Sequence, residues 1–318
     1  MVYNNQDMVV LRLGSMISSN YNLQRELTRN EKIYSFSIIF IPFIIFLYSI
    51  FSGMLFKIGM LTLILLILCY CATVIGVTVG FHRLLTHRSF KTNRITKFIL
   101  ICLGCMSYEG PPLFWVAAHR RHHKYTEEEA DPHSPLKEGK FKLMGLIHAH
   151  MGWMLNHKVE NWNYYVRDLV EDKDIRFINR HYSVIALSGL LIPGIINGLL
   201  YLSWYGFIEG IVICGIVRVF LQQHVTWAIN SVCHVWGTKD FQSSDNSKNN
   251  WLFAILALGE GWHNSHHAFP SSAKHGLKKG QIDFSYGVIK ILSYIGVVWD
   301  IKTPNPLQLS AKRICNKK

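Results

Sequence analysis

Acidic side chains are scarce in this sequence: 20 Asp and Glu stand against 33 Lys and Arg, and charged residues make up only 17% of its 318 positions. With 50% hydrophobic residues, so thin a charged fraction argues against both an ordinary soluble domain and a disordered chain. Cysteine is scarce too. Seven is an odd number, and Cys69, Cys71 and Cys214 lie within apolar stretches, which argues against a disulfide framework. Cys102 and Cys105 form a single CxxC in an apolar segment, without the second pair that a zinc site of that kind uses. There is no HEXXH of a zinc peptidase and no pair of Glu-x-x-His helices of a carboxylate di-iron bundle. Internal repeats and low-complexity tracts are absent. The net charge of +13 comes without any RNA- or DNA-binding motif, so anionic lipid headgroups, not nucleic acid, are the expected partners.

What the chain does have is apolar length. Ser35 to Phe56 and Ile58 to Gly80 each approach the roughly 20 apolar residues of a bilayer span, with Gly53, Lys57 and Gly59 marking the turn between them. A second pair runs from His181 to Trp204 and from Phe207 to Ile229. Phe98 to Met106 is apolar but short, and is expected to be interfacial or re-entrant. Residues 1–34, 81–180 and 231–318 carry 4, 16 and 11 of the Lys and Arg, whereas the two inter-span turns hold only Lys57. That bias places both termini in the cytosol. The expected architecture is all-α: two hairpins at 35–80 and 181–230, with 1–34, 81–180 and 231–318 forming one cytosolic helical cap. No basic segment leads directly into an apolar core and a small-residue cleavage site, so span one itself is expected to direct insertion.

Histidine is the other abundance. Of 16, nine fall where the spans leave the membrane: His82 and His87 in HRLLTH, His119, His122 and His123 in HRRHH, His263, His266 and His267 in HNSHH, and His234. At about 100° per residue each triplet shares one helical face. His82 and His87 would diverge by roughly 140° on a regular helix, which suits two ions better than one. Imidazole alone does not choose among iron, copper, zinc and nickel. His133, His148, His150, His157, His181, His224 and His275 read as structural.

Taken in order around two pairs of spans, HRLLTH, HRRHH and HNSHH resemble the three histidine boxes of the membrane fatty acid desaturases. GVTVGFHRLLTHRSF, DPHSP, HVTWAINSVCHVWG and GEGWHNSHHAFP are similar to the stearoyl-CoA (acyl-CoA Δ9) desaturase branch, particularly its bacterial members. The resemblance implies a non-haem di-iron centre that uses O2 to remove two hydrogens from neighbouring methylenes of a saturated acyl chain. O2 becomes two waters with two electrons from the substrate and two from a donor protein. It further implies that one iron takes His82, His234, His263 and His267, with Asn230 acting through a water, and the other His87, His119, His122, His123 and His266. The substrate carrier is expected to be CoA, with acyl-carrier protein or an intact lipid as alternatives. No HPGG-like haem motif occurs up to residue 318, so ferredoxin, rubredoxin or cytochrome b5 with its reductase is expected as a separate donor. A bacterial inner membrane is expected over the endoplasmic reticulum. Hydroxylases, ketolases and acetylenases share the boxes and stay in competition; a non-catalytic metal or haem carrier is disfavoured.

Eight further positions carry expectations. Asp131, after the second box, and Glu260, before the third, are candidates to accept the ligands' other N–H groups. Glu109 and Trp262 are candidates to shape an acyl cavity. Arg218, Gln222, Gln223 and His224 form a polar stripe in span four that must face the bundle interior. The stripe serves either the site or the packing of the bundle.

Overall fold

The computed structural model describes residues 26–137, 140–141, 143–156 and 162–314. Most of the expected N-terminal segment, and His157, lie outside the described residues. Four described helices are long and apolar enough to cross a membrane: Arg29–Phe51, Met60–Thr86, Tyr182–Tyr201 and Trp204–His234. Phe51, Leu68 and Leu199 stand 84, 60 and 68% exposed on them, as side chains facing lipid would.

The first helix starts at Arg29 instead of residue 35 because Thr28 closes a capping box. Its hydroxyl accepts from the Glu31 N–H at 3.3 Å, and Glu31 Oε2 accepts from the Thr28 N–H at 2.8 Å. The fourth starts at Trp204 instead of 207, where the Ser203 hydroxyl accepts from the Tyr205 N–H at 3.1 Å. Helices three and four meet backbone to backbone: a Cβ on Gly210 would lie 2.6 Å from the Pro193 carbonyl oxygen.

The second and fourth helices overrun their expected ends, Gly80 and Ile229, so His82 and His234 lie within helix instead of beyond it. Their 27 and 31 residues would measure about 40 and 46 Å, against a hydrocarbon core of about 30 Å. Each must therefore project past one membrane face. Helix two continues because nothing after Gly80 breaks it; from Gly76 to Thr86 its hydrogen bonds shift to the wider i→i+5 pattern. The His87 N–H donates to the His82 carbonyl at 3.1 Å. Residues five apart are then stacked, which overturns the expected divergence of His82 and His87: their ring centroids are 4.8 Å apart.

At Gly76 this widened segment lies so close against helix Arg94–Cys105 that no side chain fits between them there. A Cβ on Gly76 would sit 2.2 Å from the Gly104 backbone nitrogen. Gly76→Ala is expected to force the two helices apart, at a cost of at least the roughly 1–3 kcal/mol typical of overpacking, and so to lower the melting temperature of the purified protein.

The cap closes over these helix ends. Phe81, Ile101, Val116, Ile175 and Ile178 share one buried apolar cluster, tying span two to Arg94–Cys105, to the second-box helix Pro112–Tyr125 and to helix Lys173–Arg180. Helices Asn163–Val170 and Lys173–Arg180 belong to the region expected to form the helical cap, and Lys173–Arg180 turns Ile175 and Ile178 inward. A two-residue antiparallel ladder, Lys91–Thr92 with Val298–Trp299, draws the C-terminal segment back to the exit of span two.

Candidate metal centre and acyl cavity

The nine singled-out histidines converge from four elements. His82 and His87 come from the widened end of span two, the second-box triplet from Pro112–Tyr125, His234 from the end of span four, and the third-box triplet from His263–Ala268. They divide into two clusters, His82, His87, His119, His123 and His266 in one, and His122, His234, His263 and His267 in the other. Within each cluster the candidate ligand atoms all lie within 4.8 Å of one another.

This division corrects the one implied by the resemblance: His82 and His122 exchange places. His82 stays with His87 because of the i→i+5 turn. Its Nε2 lies 3.1 Å from His266 Nε2, which in turn lies 2.9 Å from His123 Nε2. His122 instead points between His234 and His267, with ring centroids at 5.3 Å from each. Neither triplet acts as a unit; both the second and the third box feed both clusters.

The donor set fits cations. His87 Nε2, His122 Nε2 and His267 Nε2 are buried without a hydrogen-bond partner. Burial first, then the repulsion of neighbouring imidazoles, holds His87, His119, His123, His263 and His266 well below the usual histidine range. They are therefore neutral at physiological pH and offer lone pairs, the form in which imidazole binds a metal.

Behind the rings stands a layer of carboxylates. Asp131 accepts from His122 Nδ1 at 2.9 Å, Glu260 pairs with His82 Nδ1 at 2.6 Å, Asp245 with His267 Nδ1 at 2.6 Å and Glu127 with His234 Nδ1 at 3.2 Å. Each such bond fixes which nitrogen faces the cluster and how the ring is turned. Burial opposes charge on Asp131, Asp245 and Glu260, yet the adjoining imidazoles, with Arg83 in the case of Glu260, hold all three well below the usual carboxylate range. Asp131 also accepts from the Glu127 and His133 N–H groups at 2.8 and 3.1 Å. Asp131→Asn is expected to weaken metal binding by about 10–100-fold with the fold retained, checked by competition with a chromophoric chelator.

Sequence reading found Asp131 and Glu260 but missed Glu127 and Asp245. Glu127 sits in an acidic run that reads as solvated surface, and Asp245 in a loop at no diagnostic spacing from His267. It also missed Arg83, fully buried, whose Nη2 pairs with Asp283 at 3.1 Å and Glu260 at 3.3 Å. His133 and His275, read as structural, lie just outside the clusters, beside His122 and Glu260.

A narrow cavity runs up to both clusters. His82 and His119 from one cluster and His263 from the other line it, together with Asn230, Thr226, Trp115 and Glu109 among mainly apolar side chains. Trp262, expected here, instead donates its indole N–H to the Ile282 carbonyl at 2.8 Å and is not part of the lining. A lining of this kind suits hydrocarbon laid against the histidine clusters.

Burial pushes the Glu109 carboxyl up to about 7, against hydrogen bonds from Thr226 and Trp115 that favour its ionised form. Between about pH 4.5 and 7 the unfolded chain has released this proton and the folded chain keeps it, so Glu109 makes stability fall as pH rises through that window. The melting temperature of Glu109→Gln is expected to drop less than that of the wild type between pH 5 and pH 8.

The polar stripe of span four braces this region. Arg218 donates to the Met106 and Gly189 carbonyls at 2.8 and 3.0 Å, and Gln223 Nε2 donates to the Tyr108 carbonyl at 3.2 Å.

Comparison with known proteins agrees with this geometry. The family model described as fatty acid desaturase matches residues 23–281. The chain is 46% identical over 255 residues to a hex-5-enoyl-[acyl-carrier protein] acetylenase of Moorena producens, covering 79% of each. It is 39% identical over 240 residues to an acyl-CoA C20 Delta5-desaturase of Anemone leveillei, covering 74% of this chain and 71% of the relative. To an sn-1 stearoyl-lipid 9-desaturase of Anabaena variabilis it is 35% identical over 237 residues, covering 74% and 81%. With the histidine clusters, the membrane-length helices and these relatives in agreement, the chain belongs to the fatty acid desaturase family and is an oxidoreductase acting on fatty acids.

Proposed function

We propose that this protein desaturates a saturated long-chain acyl group, carried by CoA and at Δ9, at a non-haem di-iron centre in unsaturated fatty acid biosynthesis. The observation that carries the reading is the pair of buried all-imidazole clusters at the end of an apolar cavity. His82, His87, His119, His123 and His266 would hold one iron. His122, His234, His263 and His267 would hold the other, with Asn230, one helical turn before His234 and facing the cavity, completing it through a water. Bound there, the irons supply the O2-derived oxidant that an unactivated C–H bond requires. The chain's own part is to seat the acyl carbons against the clusters, keep the cavity dry and hold each ring in register through Asp131, Glu127, Asp245 and Glu260.

The two pairs of long helices would form hairpins that leave both termini and the cap in the cytosol of a bacterial inner membrane, where a separate redox protein delivers electrons. A second reading has a specific basis. The relative at 46% identity is named for making an alkyne on an acyl-carrier protein, so acetylenation of a carrier-bound alkene is the competing activity.

Gas chromatography–mass spectrometry of fatty acids from a desaturase-deficient host expressing the chain tests both readings. A new monounsaturated acid, absent with His266→Ala, is the expected result. An alkynoic product would favour the second reading, and an added oxygen would move the chain to a hydroxylase.

A further inference from the structure

Two short helices on either side of the third box turn apolar faces outward. Helix Trp251–Leu256 leads into the box with Trp251 67% exposed, and Leu252 and Ile255 exposed beside it. Helix Phe284–Tyr294 follows the box. It buries Ile289 but leaves Phe284, Ile291 and Tyr294 exposed at helical spacing, Tyr294 to 79%.

Both helices are tied to span two, which fixes their height. The Tyr70 hydroxyl donates to the Leu256 carbonyl at 2.9 Å, and Thr78 Oγ1 lies 2.8 Å from Ser285 Oγ. The exposed apolar side chains of span two begin at Met60. Ten residues on, Tyr70 lies about 15 Å into a hydrocarbon core of about 30 Å, and a long helical side chain leans back toward the helix's N-terminus. Thr78, eighteen residues on, stands at about 27 Å, near the edge on the cap side. Any tilt of span two shortens these depths further.

The backbone around Leu256 is built for such a place. The last carbonyls of a helix ordinarily turn to water. Here the Ile255 carbonyl accepts from the Leu258 N–H at 3.2 Å, that of Leu256 from Tyr70, that of Ala257 from the Glu260 N–H at 3.2 Å and that of Leu258 from the Ser285 N–H at 2.9 Å. Irregular backbone is tolerated at membrane depth when it is paired in this way. The surface is continuous with lipid as well: Leu63 and Ile67, on the same stripe of span two as Tyr70, are exposed. On the second helix the Lys290 ammonium lies 5.0 Å over the Tyr294 ring, a cation and an aromatic at interface height.

We propose that this flank of the cap is sunk in the bilayer, with helix Trp251–Leu256 among the acyl chains of the leaflet on the cap side and helix Phe284–Tyr294 at the interface of that leaflet. Lipid is the partner that both exposed faces fit. The rest of the cap stays outside the hydrocarbon, and nothing in this placement depends on the reaction.

The test uses the full-length protein in liposomes of phosphatidylcholine and phosphatidylglycerol, with photoreactive p-benzoylphenylalanine replacing Ile255, Ile291 or, as a control in an exposed loop, Ser244. Mass spectrometry after irradiation is expected to find phospholipid adducts at 255 and 291 at least about tenfold more often than at 244, because only the first two sites meet hydrocarbon. At 255 the attachment should be to the acyl chain. Trp251 gives a check without an inserted probe. Phospholipid brominated along its acyl chains should quench a component of the wild-type tryptophan fluorescence that Trp251→Phe lacks, and aqueous iodide should spare that component. Crosslinks to a second copy of the chain in place of lipid, adducts no more frequent than at 244, or a Trp251 component quenched by iodide and spared by the brominated lipid overturns the inference.

Discussion

Replacing His122 by alanine is expected to abolish product formation and to empty one metal position while sparing the other. His122 is fully buried; its Nδ1 is engaged by Asp131, and its unpartnered Nε2 is the atom left to face the cluster. The nearest spare imidazole, His133, has its ring 4.3 Å from that of His122 and its Nδ1 3.9 Å from Asp131, and is not one of the four histidines of the cluster. Losing an outer carboxylate costs about 10–100-fold, and losing the ligand itself should cost more than that. In purified protein, iron is expected to fall to about half the wild-type value. The variant also separates the two assignments of His122. The four-membered cluster would keep only three histidines, whereas under the grouping implied by sequence resemblance the five-membered one would keep four and hold its metal better. Unchanged iron content and activity would remove His122 from the centre.

Arg83→Met should have the largest effect on stability. The guanidinium is fully buried and faces Asp283 and Glu260 at 3.1 and 3.3 Å. Asp283 is held besides by the His275 and Tyr286 N–H groups at 2.7 and 2.9 Å, so it stays in place when the cation is removed. Two buried carboxylates then face each other without a counter-charge. Breaking a buried ion pair from one side costs about 3–5 kcal/mol, and the melting temperature should fall accordingly. Because Glu260 also orients His82, metal affinity in the five-membered cluster should drop in the same variant. Arg83→Lys restores the charge but not the planar guanidinium, whose Nη2 meets both acids while its Nε donates to His275 Nε2 at 3.4 Å, and intermediate values are expected.

Which histidines gather was legible in the sequence, and how they divide was not, for a physical reason. Nine imidazoles at box spacing beside apolar spans are a matter of residue type and distance along the chain. Which imidazoles share a cluster depends on helix pitch. The regular α-helical repeat sends His82 and His87 apart, whereas the i→i+5 turn stacks them. Nothing in GVTVGFHRLLTH announces that turn except two glycines, and Gly76 turned out to be where the helices touch. The long helices were visible as apolar runs, but their ends moved with Thr28 and Ser203, single capping residues whose effect is local. Asp131 and Glu260 were found because they adjoin the boxes. Asp245 and Asp283 reach the site through tertiary folding from segments away from the boxes, whereas Arg83 inside HRLLTH and Glu127 four residues after HRRHH carry no sign in the sequence of the partners they find.

The most direct measurement is the metal content of the purified full-length chain, by inductively coupled plasma mass spectrometry with iron K-edge X-ray absorption on the same sample. About two irons per chain, in a coordination sphere dominated by imidazole nitrogen, is the result expected from two clusters of five and four histidines. One iron per chain, a different metal at full occupancy, or a sulfur-rich sphere would contradict the account.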